Sequence, residues 1–184
     1  MTRYRLELSK EAFKFSSGHF TIFNDTDVER LHGHNYRVSA AVECRDIVQG
    51  FVIEFRIIKK IIHDLCESFD EKVLVPEQSE FLSIKKEEDS FLIAFHGAGF
   101  SRQYQLPCED VELLPVPNIT VECLAKYLCE EFLKRLLQVY DAKNERERFY
   151  QSIVSVELKV EESPGQSAVY IWAVSYTHLT LPTI

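Results

Sequence analysis

Near the start of the chain, apolar positions recur at every second residue. Phe13 and Phe15 alternate within EAFKFSSGHF, and Tyr36, Val38, Ala40 and Val42 alternate within HNYRVSAAVEC. Side chains two apart share one face of a strand, so each run predicts a strand with one buried face. The period then changes. In FVIEFRIIKKIIHDLCESF, Phe55, Ile58, Ile61, Ile62 and Leu65 take helical spacing, with Lys59, Lys60 and Asp64 on the other side. NITVECLAKYLCEEFLKRLLQVY repeats that pattern through Leu124, Tyr127, Leu128, Phe132, Leu136 and Val139. Thr120 or Asn118 is placed to cap this second helix, and the prolines of LPVPN stop any earlier one. Between the helices, FLSIKKEEDSFLIAFHGAGFSRQYQLP holds two or three short alternating runs, separated by the turn-like KKEEDS and HGAG, which predicts a small β-meander. The described pattern closes with a hairpin: alternation from Ile153 to Val160, a turn at ESPG, and alternation from Ala168 to Val174.

Strand pairs joined by hairpins, with helices on one face, make an α+β domain. Residues 1–174 are expected to form it. The last ten residues, SYTHLTLPTI, continue no pattern and are read as read-through or added sequence outside the fold, His178 with them. A length of 184 residues suffices for a real hydrophobic core. The formal charge is −8, which argues against non-specific nucleic-acid binding. No signal-peptide core or membrane-length apolar run is seen, so a cytoplasmic protein is expected. Cys44, Cys66, Cys108, Cys123 and Cys129 are scattered without a C-x-x-C pair, and read as small buried hydrophobes.

The candidate chemistry lies in ERLHGHNYRV. His32 and His34 are two apart at the start of a strand and so face one way. His19 ends the preceding strand in SSGHF. If those strands pair antiparallel, their ends meet and the third imidazole joins the other two. Three neutral imidazoles leave a fourth zinc position open, as in catalytic zinc sites, and nitrogen donors suit Zn²⁺ better than Mg²⁺ or Ca²⁺. Spacing alone leaves two readings open, a metal site and a coincidence of loop histidines. His63 reads as a solvated helix residue and His96 as a turn residue.

Taken together, the motifs resemble the 6-pyruvoyl-tetrahydropterin synthase and 6-carboxytetrahydropterin synthase superfamily. SSGHF…LHGHNYRV is similar to its paired zinc motifs, GFVIEFRIIKK to its G-x-V-I-D-F-x-x-L-K, and FDEKVLVP to its L-D-H-x-x-L segment. NITVECLAKYL resembles its helix start and VEESPGQSAVY its pterin-binding turn. The resemblance implies a four-stranded antiparallel sheet with two helices on one face, here with the β insert between the helices. It also implies a homo-oligomer, a hexamer of two trimers with active sites between subunits. His19, His32 and His34 are implied zinc ligands. Glu162 is the implied pterin anchor, a carboxylate accepting two parallel hydrogen bonds from a guanine-like edge. Strand parity points adjacent Glu161 the other way. Thr120 matches a position that helps to hold the pterin.

Two departures bear on the reaction. Where well-known members carry a cysteine before H-G-H, this chain has NDTDVER, and Glu29 makes an E-x-x-H-G-H pattern. That resembles the branch in which glutamate replaces cysteine and 7,8-dihydroneopterin triphosphate is cleaved to 6-hydroxymethyl-7,8-dihydropterin for folate synthesis. Glu29, raised in pKa by burial, is expected to move protons there. Where the family has an Asp-His relay, this chain has Asp70-Glu71, a carboxylate pair able to share a proton. The alternatives are 6-carboxy- or 6-pyruvoyl-tetrahydropterin synthesis (queuosine or tetrahydropterin routes), a non-catalytic zinc- and pterin-binding homologue, and a purely structural zinc.

Overall fold

The computed structural model describes residues 3–45, 53–139 and 150–174. The tail at 175–184 and the last helix-pattern residue, Tyr140, lie outside the described residues. The early alternation becomes two long strands, β1 (Tyr4–His19) and β2 (His32–Cys44), paired antiparallel. Helix α1 (Phe55–Glu67) follows, then β3 (Lys72–Pro76). The insert is β4 (Leu82–Glu87), β5 (Ser90–His96) and β6 (Ser101–Pro107), a three-stranded antiparallel meander. A 3₁₀ turn at Cys108–Asp110 leads to β7 (Val111–Leu114), helix α2 (Val121–Gln138), and the closing hairpin β8 (Ile153–Ser163) and β9 (Gln166–Ala173). Gly165 turns that hairpin at φ 85°, a left-handed backbone that favours glycine.

The main sheet has six strands in the order β7-β3-β1-β2-β8-β9, not four. The expected antiparallel set is β1, β2, β8 and β9. Two short strands extend it: β3 runs parallel to β1, and β7 parallel to β3. Both are too brief to show a period. Parallel pairing also joins segments distant in sequence, which leaves no local turn signal.

One face of the sheet carries the core. Tyr36, Val38, Ala40 and Val42 of β2 and Val156, Leu158 and Val160 of β8 are buried against both helices in one continuous cluster. From α1 come Ile58, Ile61, Ile62, Leu65 and Cys66; Phe55, predicted on that stripe, is 46% exposed because it sits at the first helical position, before the helix meets the sheet. Helix α2 buries Leu124, Leu128, Phe132 and Leu136, while Val139 at its C-terminal cap is exposed. Thr120 is the cap residue at the other end, its hydroxyl accepting the Cys123 amide at 3.3 Å. Cys44, Cys66 and Cys129 are buried free thiols, and burial pushes them up to about 11, about 12 and about 12. Cys108 and Cys123 are only half-buried.

The insert forms a second core. Ile93 and Phe95 of β5 pack with Val75, Val111 and three loop residues, Phe20, Ile22 and Val28. His96 is the last residue of β5 rather than a turn residue, its Nε2 2.7 Å from the Ser83 hydroxyl across the meander. His63 is exposed on α1, near Glu67. The turn after β5 touches the 20–31 loop closely: the Ala98 amide donates to the Asp25 carbonyl at 2.7 Å. A Cβ at Gly97 would overlap the Asp25 carbonyl and the Phe95 ring. Gly97→Ala is therefore expected to lower stability by about 1–3 kcal/mol, the usual cost of overpacking. An unchanged urea midpoint would show that this turn moves aside freely.

Candidate metal centre

Strand register gathers the histidines. His19, the last residue of β1, lies opposite His32, the first of β2, and Ser17 lies opposite His34. Opposed residues of an antiparallel pair share a face, as do residues two apart. The three imidazoles therefore project from the helix-covered face at one end of the core layer. Ring centroids are 4.6 Å (His19–His32), 5.1 Å (His19–His34) and 4.8 Å (His32–His34) apart. One ligand atom from each lies within 4.8 Å of the others.

Hydrogen bonds select the tautomers. His19 Nδ1 is 3.2 Å from the Ile119 carbonyl, and His32 Nδ1 is 2.8 Å from the Arg30 carbonyl. A carbonyl only accepts, so each Nδ1 carries a proton, and in the neutral ring Nε2 is the nitrogen that keeps a lone pair. His19 Nε2 is buried without a hydrogen-bond partner. An orphaned buried acceptor is costly unless something takes it. Burial is the largest influence on His19 and holds its pKa below the ordinary value; the Ile119 bond opposes this in part. Imidazoles whose Nδ1 is committed to a backbone carbonyl, as in His19 and His32, present Nε2 as the donor that fits Zn²⁺.

Two carboxylates stand beside the cluster. Glu162 Oε1 is 3.3 Å from His19 Nε2 and 3.5 Å from His34 Nε2. With His19 neutral, that contact sets a lone pair against a carboxylate oxygen, a repulsion that a cation nearby relieves. The Tyr36 hydroxyl donates to the same oxygen at 3.3 Å, and the tyrosine's pKa is raised, by burial first and then by Glu162. Glu29 Oε2 is 4.0 Å from His32 Nε2 and accepts the Thr21 amide at 3.1 Å. Burial pushes the Glu29 pKa up, but Thr21 and the nearby imidazoles outweigh it, so the carboxyl lies below its ordinary value. The expected upward shift is thus reversed, because loop donors stabilise the charged form.

The remaining predicted residues divide. Asp70 Oδ1 accepts the Ser16 amide at 2.7 Å and ties the end of α1 to β1. Glu71 is exposed, held at φ 58° with its amide on the Ser16 carbonyl, and lines a cavity of about 760 Å³. That open cavity is bordered also by His34, Arg37, Lys72, Glu161 and Glu162. Both Glu161 and Glu162 line it, contrary to strict parity, because the register of β8 on β9 shifts between Glu161 and Ser163. Thr120 is seen as the α2 cap.

Sequence reasoning missed Tyr36 and Asn118. Tyr36 was legible, standing two residues beyond His34 on the same face. Asn118 was not: its side chain bonds both the amide (3.1 Å) and the carbonyl (2.8 Å) of Ile22, a contact across 96 residues.

Fold and site together define an α+β protein with three converging imidazoles, one of which, His34, borders a cavity. The chain belongs to the 6-pyruvoyl tetrahydropterin synthase family, whose model matches residues 7–171. A Methanocaldococcus jannaschii protein named "Putative 6-carboxy-5,6,7,8-tetrahydropterin synthase" is 30% identical over 160 residues, 85% of this chain and 88% of its own. A Pyrococcus abyssi protein of the same name is 30% identical over 122 residues, 66% of this chain and 70% of its own. The crystal structure of 6-pyruvoyl tetrahydropterin synthase from Plasmodium vivax superposes with a TM-score of 0.82 at 25% identity, covering 95% of this chain and 100% of that one. Related structures of the P. vivax enzyme carry alanine or cysteine in place of a glutamate described as a catalytic residue.

Proposed function

We propose that this chain is a zinc-dependent lyase that cleaves the side chain of 7,8-dihydroneopterin triphosphate to yield 6-hydroxymethyl-7,8-dihydropterin in the cytoplasm. The observation that carries this reading is the Glu29 carboxylate beside the imidazole cluster, on a loop that contains no cysteine. The catalytic glutamate of the P. vivax enzyme supports it. His19, His32 and His34 would hold zinc, which when bound supplies Lewis-acid polarisation of the substrate's side-chain oxygens.

The chain's own groups do the rest. Glu162 receives the 2-amino group and ring N–H of the pterin, and the Tyr36 hydroxyl fixes that carboxylate. Thr120, at the α2 cap, borders the pterin. Glu29, kept ionised by Thr21, accepts a proton from a side-chain hydroxyl as general base. Of the Asp70-Glu71 pair, Glu71 faces the cavity and is the member placed to pass protons, while Asp70 anchors it to β1. Assembly as a hexamer of two trimers is part of this reading. The outer strand β9 exposes Val169 and Ile171, at 50% and 58%, which suits association between sheets.

A second reading, 6-carboxytetrahydropterin synthesis, is favoured by the names of the relatives that are 30% identical. Incubating zinc-loaded protein with 7,8-dihydroneopterin triphosphate and identifying the released pterin decides between them. Hydroxymethyl-dihydropterin supports the first reading and a carboxy product the second, while a pyruvoyl product would count against both. Substrate bound but unchanged would mark a non-catalytic binder. Glu162→Gln is expected to raise KM about tenfold or more, the value of a lost charge-assisted pair, with zinc content unchanged. Loss of zinc in this variant would instead make Glu162 a metal ligand.

A further inference from the structure

The loop that carries Glu29 is held from outside. Residues 20–31 lead from β1 to β2, and Ile22 and Val28 form an isolated bridge within them. One end is secured by Asn118, as described above. The other end is gripped by the β insert. Arg102 of β6 donates Nη1 to the Val28 carbonyl at 3.2 Å and to the Glu29 carbonyl, and the Tyr104 hydroxyl accepts the Leu31 amide at 3.3 Å. Two residues apart on β6, these side chains leave the meander by one face. They lie opposite Phe95 and Ile93, which pack on Phe20, Ile22 and Val28. The Tyr104 ring stacks on Phe20, the residue after His19, with centroids 5.6 Å apart.

We propose that Arg102 and Tyr104 are positioning residues for Glu29, through which the β insert sets the carboxylate against the histidine cluster. The inference rests on Glu29 acting as the base. A guanidinium on two consecutive carbonyls fixes both peptide planes, and so the direction in which the Glu29 side chain departs. Tyr104 fixes the next turn of chain before His32. The carboxylate can then reach the Thr21 amide on one side and the His32 ring on the other. A base displaced by about 1 Å loses on the order of 10²-fold in rate, so a distant clamp has a kinetic signature.

The test compares zinc-loaded wild type, Arg102→Ala, Arg102→Lys, Tyr104→Phe, Glu29→Gln and the Arg102→Ala/Glu29→Gln double variant. Arg102→Ala is expected to lower kcat about tenfold or more, with KM, zinc content and urea midpoint close to wild type. Amide exchange at residues 29–32 rises, and Arg102→Lys regains part of the rate. In the Glu29→Gln background Arg102→Ala adds no further loss, because it acts through Glu29. Unchanged kcat and exchange, an equal added loss in the double variant, or activity falling in step with zinc would overturn the proposal. Should Arg102→Ala fail to fold, Tyr104→Phe carries the same test, removing one hydroxyl, with a loss of about threefold in kcat expected. Glu29→Gln turning over like wild type would sink the general-base reading itself. Faster amide exchange at 29–32 in Arg102→Ala would, even then, show the clamp to be real.

Discussion

Replacing His19 by alanine is expected to weaken zinc binding by more than about 100-fold and to abolish turnover. Even partners of a metal's ligands are commonly worth about 10–100-fold in affinity, and His19 is the most enclosed donor of the three, 2% exposed. The ring also spans two elements: its Nδ1 meets the carbonyl just before α2, while its Nε2 faces the cluster. Its loss therefore removes a donor and a tie between the sheet and the helix start. Metal analysis of the purified variant checks the first effect, and equilibrium unfolding with and without chelator checks the second. In wild type, chelation should lower stability by about 3–4 kcal/mol if zinc is present at ~100–1,000 times its dissociation constant. In His19→Ala, chelator should change nothing. A variant that keeps stoichiometric zinc would show that the imidazoles do not form one centre.

Glu29→Gln is expected to lower kcat by about 10²–10⁴-fold, the usual contribution of a general base, with zinc content and KM close to wild type. The amide oxygen of glutamine still accepts the Thr21 N–H, so the loop keeps its shape and only the capacity to take a proton is lost. Glu29→Cys replaces the carboxylate by a thiol, and its product is informative. A pterin product different from that of the wild type would show that this position selects the reaction. Full turnover by Glu29→Gln would make Glu29 a structural loop acid like Asp25.

What could be read beforehand was what local pattern encodes. Alternation at Tyr36, Val38, Ala40 and Val42 marked a face that is indeed buried, and helical spacing marked Ile58, Ile62, Leu128 and Phe132. The i, i+2 placement of His32 and His34 already implied that they face one way, because a strand's parity is a property of the backbone itself. Whether His19 joins them depends on register, and the register of β1 on β2 includes an irregularity between Ser9 and Lys14 that no pattern announces. The shift that admits both Glu161 and Glu162 to the cavity is of the same kind. The sign of the Glu29 shift was likewise hidden, since it is decided by donors at Thr21 rather than by burial alone.

By itself, the chain's order of residues determined the strands β1, β2, β8 and β9, the two helices, the insert and which side chains were available to bind a metal, since each follows from periodicity or residue chemistry over a few neighbours. Only the tertiary structure decided that β3 and β7 widen the sheet, that Asn118, Arg102 and Tyr104 hold the Glu29 loop, and that His19 is left with a buried, unsatisfied nitrogen. Those are contacts between segments many residues apart, created when burial of apolar surface brings them together, and no local pattern records them.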